Sequence, residues 1–123
     1  MLLNGNPMTW LFFAPARPRP EDGRVTIKVE ARPGATTIVV KGELDLVTRP
    51  FLEARLARAA QDRPARLIFD LGGTHFMDCA SARLIAAAGN ELPGGRPVIR
   101  RPGPSVRRIL ALTGLDAQCE IEE

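Results

Sequence analysis

Residues 67–88, LIFDLGGTHFMDCASARLIAAA, decide the fold. The run begins with a short, continuous apolar segment, which is typical of a central strand covered on both faces. Residues 79–91 carry few charges and show helical spacing, which predicts a well-buried helix. Its apolar stripe consists of Leu84, Ile85 and Ala88. Asp78 stands between the two elements, where an aspartate serves well as a helix N-cap. The stretch therefore predicts a strand that passes directly into a helix.

Two strands and a helix are predicted before this stretch. Residues 25–31 alternate apolar and polar side chains, and residues 36–44 are rich in β-branched residues, so both indicate strands. Thr48 is placed to cap a helix whose first turn contains Pro50. The apolar stripe of that helix is Leu52, Leu56 and Ala59.

A strand, a helix and a final strand are predicted after it. Residues 96–100 form a short strand, and a helix opens at Pro104 and ends at Gly114. The stripe of this helix is Val106, Ile109, Leu110 and Thr113. The last strand, residues 117–122, is expected to turn Ala117, Cys119 and Ile121 inward. The order β-β-α-β-α-β-α-β predicts a single α/β domain with a mostly parallel mixed β-sheet covered by helices.

The N-terminal residues differ in character from the rest. We expect residues 1–23 to form a tail with a proline-rich linker, and residues 24–123 to form the domain. The apolar run at residues 10–14 is too short to span a membrane, so no direct membrane insertion is expected. Prolines interrupt this run and no basic region precedes it, which argues against a signal peptide. The run is apolar enough to pack on the domain or on a partner.

Catalytic and metal-binding signatures are not found in the sequence. The two cysteines, Cys79 and Cys119, lie far apart, and His75 is the single histidine, so no metal site is expected. The glycines do not form a phosphate loop, and no serine has the context of a catalytic triad. We therefore expect no enzyme and no cofactor. The low cysteine content favours a reducing, cytoplasmic setting.

Arginine supplies most of the net charge of +3. Five arginines lie between residues 96 and 108 with no acid among them: Arg96, Arg100, Arg101, Arg107 and Arg108. This segment has no aromatic residue on which a base could stack, so no nucleic-acid partner is expected. A solvated face, or one that docks an acidic protein, fits the pattern better.

Three segments resemble the STAS domain of anti-sigma factor antagonists: VVKGELDLVTRPFLEARLARAA at residues 39–60, the stretch at residues 67–88, and VRRILALTGLD at residues 106–116. The resemblance covers about residues 25–122. It implies that the chain binds an anti-sigma factor, a serine kinase of the ATPase fold, and thereby releases a sigma factor. The kinase, not this chain, would bind ATP. It would switch the antagonist off by phosphorylating the start of the second helix.

The resemblance also implies a partner-binding face. Asp45 would be the family's acid near the phosphorylation site, and Asp78 would be the aspartate before the phospho-acceptor. Cys79 takes the position of the acceptor, which in the family is serine or threonine. Ala80 takes the second small position, and Ser81 stands where the family usually has glycine.

Cys79 leaves the regulation open. A thiol does not form a stable phosphate ester, so the ordinary switch is in doubt and Ser81 is the nearby hydroxyl. A thiol at a helix N-terminus is also more easily oxidised, with Cys119 as a possible disulfide partner, although Asp78 would oppose thiolate formation. In the third interpretation Cys79 is an inert small residue and the domain binds its partner constitutively.

A non-catalytic anti-sigma factor antagonist in the bacterial cytoplasm is the function that this sequence best supports. Two other roles of STAS domains are compatible with it. One is an accessory subunit of a lipid-transport ABC complex, bound to the transporter's ATPase. The other is a degenerate, stressosome-like scaffold that is retained for assembly.

Overall fold

A five-stranded sheet in the order β1-β2-β3-β4-β5 forms the centre of the structure, a computed structural model that describes residues 24–123. The strands are β1 (Val25–Arg32), β2 (Ala35–Leu44), β3 (Arg66–Met77), β4 (Val98–Arg100) and β5 (Glu120–Glu122). The helices are α1 (Arg49–Gln61), α2 (Cys79–Asn90), α3 (Pro104–Thr113) and a 3₁₀ helix (Leu115–Gln118). The predicted order of strands and helices is confirmed.

The sheet is mixed and mostly parallel, as predicted. β1 and β2 form an antiparallel hairpin that closes at Arg32 and Ala35, while β2, β3, β4 and β5 are parallel. Gly34 occupies the hairpin turn with a φ of +83°, a left-handed conformation that glycine adopts without strain. Because β2 and β3 are adjacent and parallel, the starts of α1 and α2 meet at the same edge of the sheet.

All three α-helices pack on one face of the sheet. The buried side chains of β2 and β3 form one hydrophobic cluster with the helices: Ile38, Val40, Leu44, Leu67, Phe69, Leu71 and Met77. The prediction that both faces of β3 are covered is wrong, because Ile68 and Asp70 on the other face are only half-buried. The reason lies in the topology. Right-handed crossovers that always step in the same direction place every helix on the same side of the sheet.

β3 extends well beyond the apolar run that predicted it and includes His75. Its register against β2 shifts twice, between Val39 and Lys41 and between Gly42 and Glu43, and each shift inserts one extra residue into β3. Such bulges bend a strand and change the direction of its side chains, and glycine favours them. The strand therefore continues through Gly72 and Gly73 as far as Met77.

The C-terminal strand is shorter than predicted. Residues 115–118 form the 3₁₀ helix, which leaves only Glu120–Glu122 in β5. Ala117 is exposed and Ile121 is 36% exposed, so the prediction that both point inward is wrong, while Cys119 is buried as expected. Ile121 lies in register with buried Ile99 but at the edge of the sheet, where there is less helical cover.

Candidate functional site

The junction between β3 and α2 has the geometry that the sequence predicted. Asp78 has an extended conformation, with φ −86° and ψ 170°, and its Oδ1 accepts a hydrogen bond of 2.8 Å from the Ser81 backbone N–H. This is the N-cap arrangement, in which a side-chain oxygen satisfies one of the free N–H groups of the first turn. Cys79 is therefore the first residue of the helix.

Arg49 joins this cap to α1. Its Nη2 donates a hydrogen bond of 2.7 Å to Asp78 Oδ2, and the two side chains are only 22% and 26% exposed. The Asp78 backbone N–H donates to the Leu44 carbonyl at 2.9 Å, which ties the start of α2 to the end of β2. The Arg49 Nε is buried and has no hydrogen-bond partner among residues 24–123.

Sequence reasoning missed Arg49. A cation at the start of a helix is locally unfavourable, because the N-terminal end of the helix dipole is positive. An arginine at this unfavourable position indicates that its side chain pairs with an acidic group elsewhere in the chain. The partner stands 29 positions along the chain and is not identifiable from sequence spacing alone.

The surroundings of Asp78 favour its carboxylate form. Burial by itself would raise the pKa, but hydrogen bonds from Ser81 and Arg49 and the positive charge of Arg49 outweigh it. The pKa of Asp78 is therefore lower than the ordinary value, and the group carries a negative charge at neutral pH.

Asp45 orders the loop that leads into α1. Its Oδ1 accepts hydrogen bonds from the backbone N–H groups of Val47 and Thr48, each at 3.0 Å. The hydrogen bond from the Thr48 backbone is the main cause that lowers the pKa of Asp45; burial opposes it, and Val47 and Arg24 contribute further lowering. Asp45 is thus a charged group held in a fixed position.

Thr48 occupies the N-cap position of α1, but its side chain does not cap the helix as predicted. The Thr48 hydroxyl donates to the Glu43 carbonyl at 2.7 Å. The carboxylate of Asp45 holds this turn in place instead, since it accepts hydrogen bonds from the backbone N–H groups of Val47 and Thr48.

The structure brings four of the five predicted site residues to one surface. Asp45 and Asp78 each follow a residue of the register pair Leu44 and Met77, so they lie at neighbouring strand ends. Both are half-buried, Cys79 is exposed and Ala80 is half-buried.

Ser81 is different, because its side chain is 0% exposed. Its hydroxyl has no hydrogen-bond partner among the described residues. Phosphorylation at Ser81 stays an untested prediction, and the burial weighs against it, since a kinase needs access to the hydroxyl.

Cys79 and Cys119 cannot join without a change of fold. Cys79 begins α2, whereas Asn90 at the other end of α2 donates to Gln118, the neighbour of Cys119. A helix of 12 residues is about 18 Å long, and a disulfide needs Cα atoms within about 7 Å. Burial raises the pKa of the Cys119 thiol, with opposing effects of Arg96 and Asp116. Both cysteines are free.

An exposed apolar patch borders the same edge of the sheet. It consists of Leu46 (73% exposed), Val47 (56%) and Phe76 (45%), and we refer to it as the edge patch. Phe76 lies in register with Glu43, and the other two residues directly follow Asp45. Five large hydrophobic side chains are exposed in residues 24–123, and three of them are in this patch. Sequence reasoning did not single it out.

Most of the predicted arginine cluster is already paired within the chain. Arg100 contacts Glu122 at 2.5 Å, Arg101 contacts Asp70 at 2.8 Å, and Arg107 pairs with Glu123. Arg96 donates to the carbonyls of Ala117 and Cys119. The acids come from other parts of the chain, above all from its C-terminal residues. This leaves less free positive charge for an acidic partner than the sequence suggested.

No group of three histidine, cysteine or acidic side chains is arranged for a metal ion in the part of the chain that the structure describes. Within the same residues, every helix is too short or too polar to cross a membrane.

Known proteins share this sequence pattern and fold. The STAS domain family matches residues 26–123. The anti-sigma-F factor antagonist RsfB of Mycobacterium tuberculosis is 28% identical over 95 residues, which is 75% of this chain and 76% of RsfB. An anti-sigma factor antagonist from Mycobacterium paratuberculosis has a similar crystal structure, with a TM-score of 0.72 and 32% identity over 80% of this chain and 85% of that one.

The anti-sigma factor antagonist SpoIIAA in its unphosphorylated form shares the fold more distantly. The TM-score is 0.67 at 22% identity, over 80% of this chain and 89% of SpoIIAA. The family match extends over most of the chain and includes both strand ends, the Asp78 junction and all three helices. The chain therefore belongs to the STAS domain family.

Proposed function

We propose that the protein is an anti-sigma factor antagonist. It binds an anti-sigma factor, a serine kinase of the ATPase fold, in the bacterial cytoplasm, and this binding releases a sigma factor. The observation that carries the proposal is the start of α2, where the Asp78 cap presents Cys79 on the surface at the position of the family's phospho-acceptor. The relatives that carry the name of antagonist support the same conclusion.

The binding face consists of the two fixed carboxylates and the first turn of α2. Asp45 and Asp78 supply negative charge, and both are held by hydrogen bonds within the chain. Cys79 and Ala80 are small, so a partner surface approaches the helix closely. The side chain of Ser81 is buried, so it packs against the interior of the domain and holds this turn in place. The protein acts by binding and carries out no reaction.

Cys79 makes the binding constitutive. A phosphate would add about 1.5 to 2 negative charges beside Asp78, which is the physical basis of a phosphorylation switch. A thiol in this position accepts no stable phosphate ester, so the kinase cannot turn this face off in the ordinary way. The exposed thiol behaves as a small side chain that the partner covers.

Binding to the anti-sigma factor from the source organism tests the proposal. We expect the purified proteins to form a complex in calorimetry under reducing conditions, and Cys79→Ser to keep the affinity. Arg58→Ala, near the other end of α1, is the matched surface control. Absence of binding to every anti-sigma kinase of the organism would refute the antagonist role. Binding to a transporter ATPase instead would identify an ABC accessory subunit, and assembly with other STAS proteins alone would identify a scaffold.

Phosphorylation of the variant tests the role of Cys79. With the kinase and ATP, the Cys79→Ser protein should gain the mass of one phosphate, while the wild-type protein should gain none. The double variant Cys79→Ser, Ser81→Ala should still be phosphorylated, which places the phosphate on residue 79. Phosphorylation of the wild-type protein, or loss of its affinity after mild peroxide treatment, would contradict constitutive binding.

A further inference from the structure

The proposed binding face is too small to form a stable complex by itself. Its accessible side chains are Asp45, Asp78, Cys79 and Ala80, and all except Cys79 are half-buried. A specific interface buries about 800 Å² on each partner and involves roughly 20–30 residues a side. Its core is depleted of charged residues and enriched in aromatic ones. A partner that covers Cys79 therefore also contacts the surface around this face.

The edge patch adjoins this face at the ends of two neighbouring strands. Leu46 and Val47 directly follow Asp45, and Phe76 stands two residues before Asp78. The Asp78 N–H donates to the carbonyl of Leu44 at 2.9 Å, so the ends of β2 and β3 are held side by side. The patch and the binding face therefore belong to the same edge of the sheet.

The patch is ordered before any partner binds. The Asp45 carboxylate accepts hydrogen bonds from the N–H groups of Val47 and Thr48, and the Asp45 carbonyl accepts one of 2.9 Å from the Arg49 N–H. Phe76 is held within β3. Because these residues already have fixed positions, a partner that packs on them loses little free energy to their ordering.

The charges around the patch balance one another. The charged side chains near it are Arg24, Lys41, Glu43, Asp45, Arg49 and Asp78. Three of them are basic and three are acidic, and His75 stands next to Phe76. The patch therefore favours neither a strongly acidic nor a strongly basic partner. Uncharged apolar side chains gain most from covering it, since their contact removes apolar surface from water.

The other exposed large hydrophobic side chains in residues 24–123 are Leu112 and Ile121. Ile121 is in register with Ile99, and Ile99 with Phe69, which lies seven residues before Phe76. At about 3.3 Å per residue, Ile121 is roughly 20 Å from Phe76. Leu112 is a single side chain on α3. Single exposed apolar residues are common on soluble proteins, whereas a group of them marks an interaction site.

We propose that the edge patch is the apolar part of the partner interface. Uncharged apolar side chains of the anti-sigma factor that covers Cys79 also pack on Leu46, Val47 and Phe76. This inference rests on the proposed function, because it names the same partner. The patch supplies a large share of the affinity, while Asp45 and Asp78 fix the orientation of the complex.

Leu46→Ser tests the patch, and Leu46→Met is its matched control. Leu46 is 73% exposed, so both variants should remain folded, as circular dichroism would show. In calorimetry with the anti-sigma factor of the source organism, Leu46→Ser should bind about tenfold more weakly, because an apolar contact is lost. Leu46→Met keeps an apolar side chain of similar volume and should bind within about twofold of the wild-type protein.

Val47→Ser is a second, independent variant. Val47 is 56% exposed, and its loss should weaken binding about threefold, since valine is smaller than leucine. Raising the salt concentration from about 0.1 M to 0.5 M should leave the ratio of wild-type to variant affinity unchanged, because salt screens charges and not apolar contacts. The heat-capacity change of binding should be less negative for Leu46→Ser than for the wild-type protein.

The outcomes separate this inference from the proposed function. If the wild-type protein binds no anti-sigma factor, both are overturned. If it binds and the two serine variants bind equally well, the patch lies outside the interface and the antagonist role stands. A wild-type dimer in sedimentation that Leu46→Ser dissociates would show that a second copy of the chain covers the patch, which would also overturn the inference.

Discussion

Two arginine–carboxylate pairs in this molecule have similar lengths and different surroundings. Arg49 and Asp78 meet at 2.7 Å and are about three-quarters buried, and Asp78 also accepts the N-cap hydrogen bond from Ser81. Arg100 and Glu122 meet at 2.5 Å at the C-terminal edge, where the Glu122 side chain is 52% exposed. The first pair fixes the starts of two helices, whereas the second joins the short strand β4 to the edge strand β5.

The difference indicates that the surroundings of an ion pair, not its length, determine how much the pair contributes to the free energy of unfolding. Exposed pairs contribute about 0–1 kcal/mol, because water and salt screen the charges and two long side chains must be ordered. A partly buried carboxylate that also caps a helix contributes more, and its loss leaves an arginine without its partner. Three experiments test this difference, and two of them compare the regions directly.

The largest effect is expected for Asp78→Ala. We expect the free energy of unfolding to fall by about 2 kcal/mol, because the variant loses the N-cap and leaves the half-buried Arg49 unpaired. Urea denaturation measures this change. Glu122→Ala is the control and should cost under about 1 kcal/mol. Equal losses in the two variants would mean that the Asp78 pair has no advantage from its surroundings.

A smaller effect is expected for the dependence of the stability on pH. Since the pKa of Asp78 is lower in the folded chain than in the unfolded chain, the unfolded chain binds the proton first as the pH falls. The stabilisation is therefore complete above about pH 4 and is lost as the pH falls through the folded-state pKa.

Asp78→Asn separates this charge effect from the cap, since asparagine also caps helices well. Near pH 7 the wild-type protein should be more stable than the variant by about 1 kcal/mol, and the difference should disappear in acid. Urea denaturation across the pH range measures it. A difference that stays constant down to low pH would contradict a role for the charge.

The smallest effect is expected for the response of hydrogen exchange to ionic strength. The Arg101 N–H donates to the Glu122 carbonyl at 2.7 Å, and the Asp78 N–H donates to the Leu44 carbonyl at 2.9 Å. Raising the ionic strength from about 0.1 M to 1 M shortens the screening length from about 10 Å to 3 Å. This screening weakens the exposed pair between Arg100 and Glu122, and Glu122 is the residue that accepts the hydrogen bond from the Arg101 amide. Hydrogen exchange of the Arg101 amide should therefore become about two- to threefold faster, a change that corresponds to under 1 kcal/mol. The Asp78 amide should respond less, and an equal response would weaken the distinction.

The sequence predicted the local features and missed those that depend on distant residues. The cap at Asp78 follows from one residue type at the boundary of two periodic segments, and the structure confirms it. The Arg49 pair joins residues 29 positions apart, so no local pattern contains it. The apolar run of β3 did predict a central strand. The open second face depends instead on all crossovers running in one direction, which a single segment does not reveal.

The same limit applies within the site. The resemblance to STAS domains implied one face with Asp45, Asp78, Cys79, Ala80 and Ser81, and the first four lie at adjacent strand ends and in the first turn of α2. It did not show that the Ser81 side chain faces the core, because an N-cap one residue earlier or later would rotate the whole helix. The edge patch escaped notice because its members come from two strand ends that are adjacent only in the sheet.

The short C-terminal strand also protects the molecule against self-association. Within residues 24–123 no strand pairs with the outer edge of β5, so its free backbone groups are available to another chain. Long, flat and apolar edges of this kind promote aggregation. β5 has only three residues, and two of them, Glu120 and Glu122, carry charged side chains that disfavour pairing with an apolar strand of another chain. The acidic residues that pair with arginines thus also hinder another chain from adding a strand to this edge of the sheet.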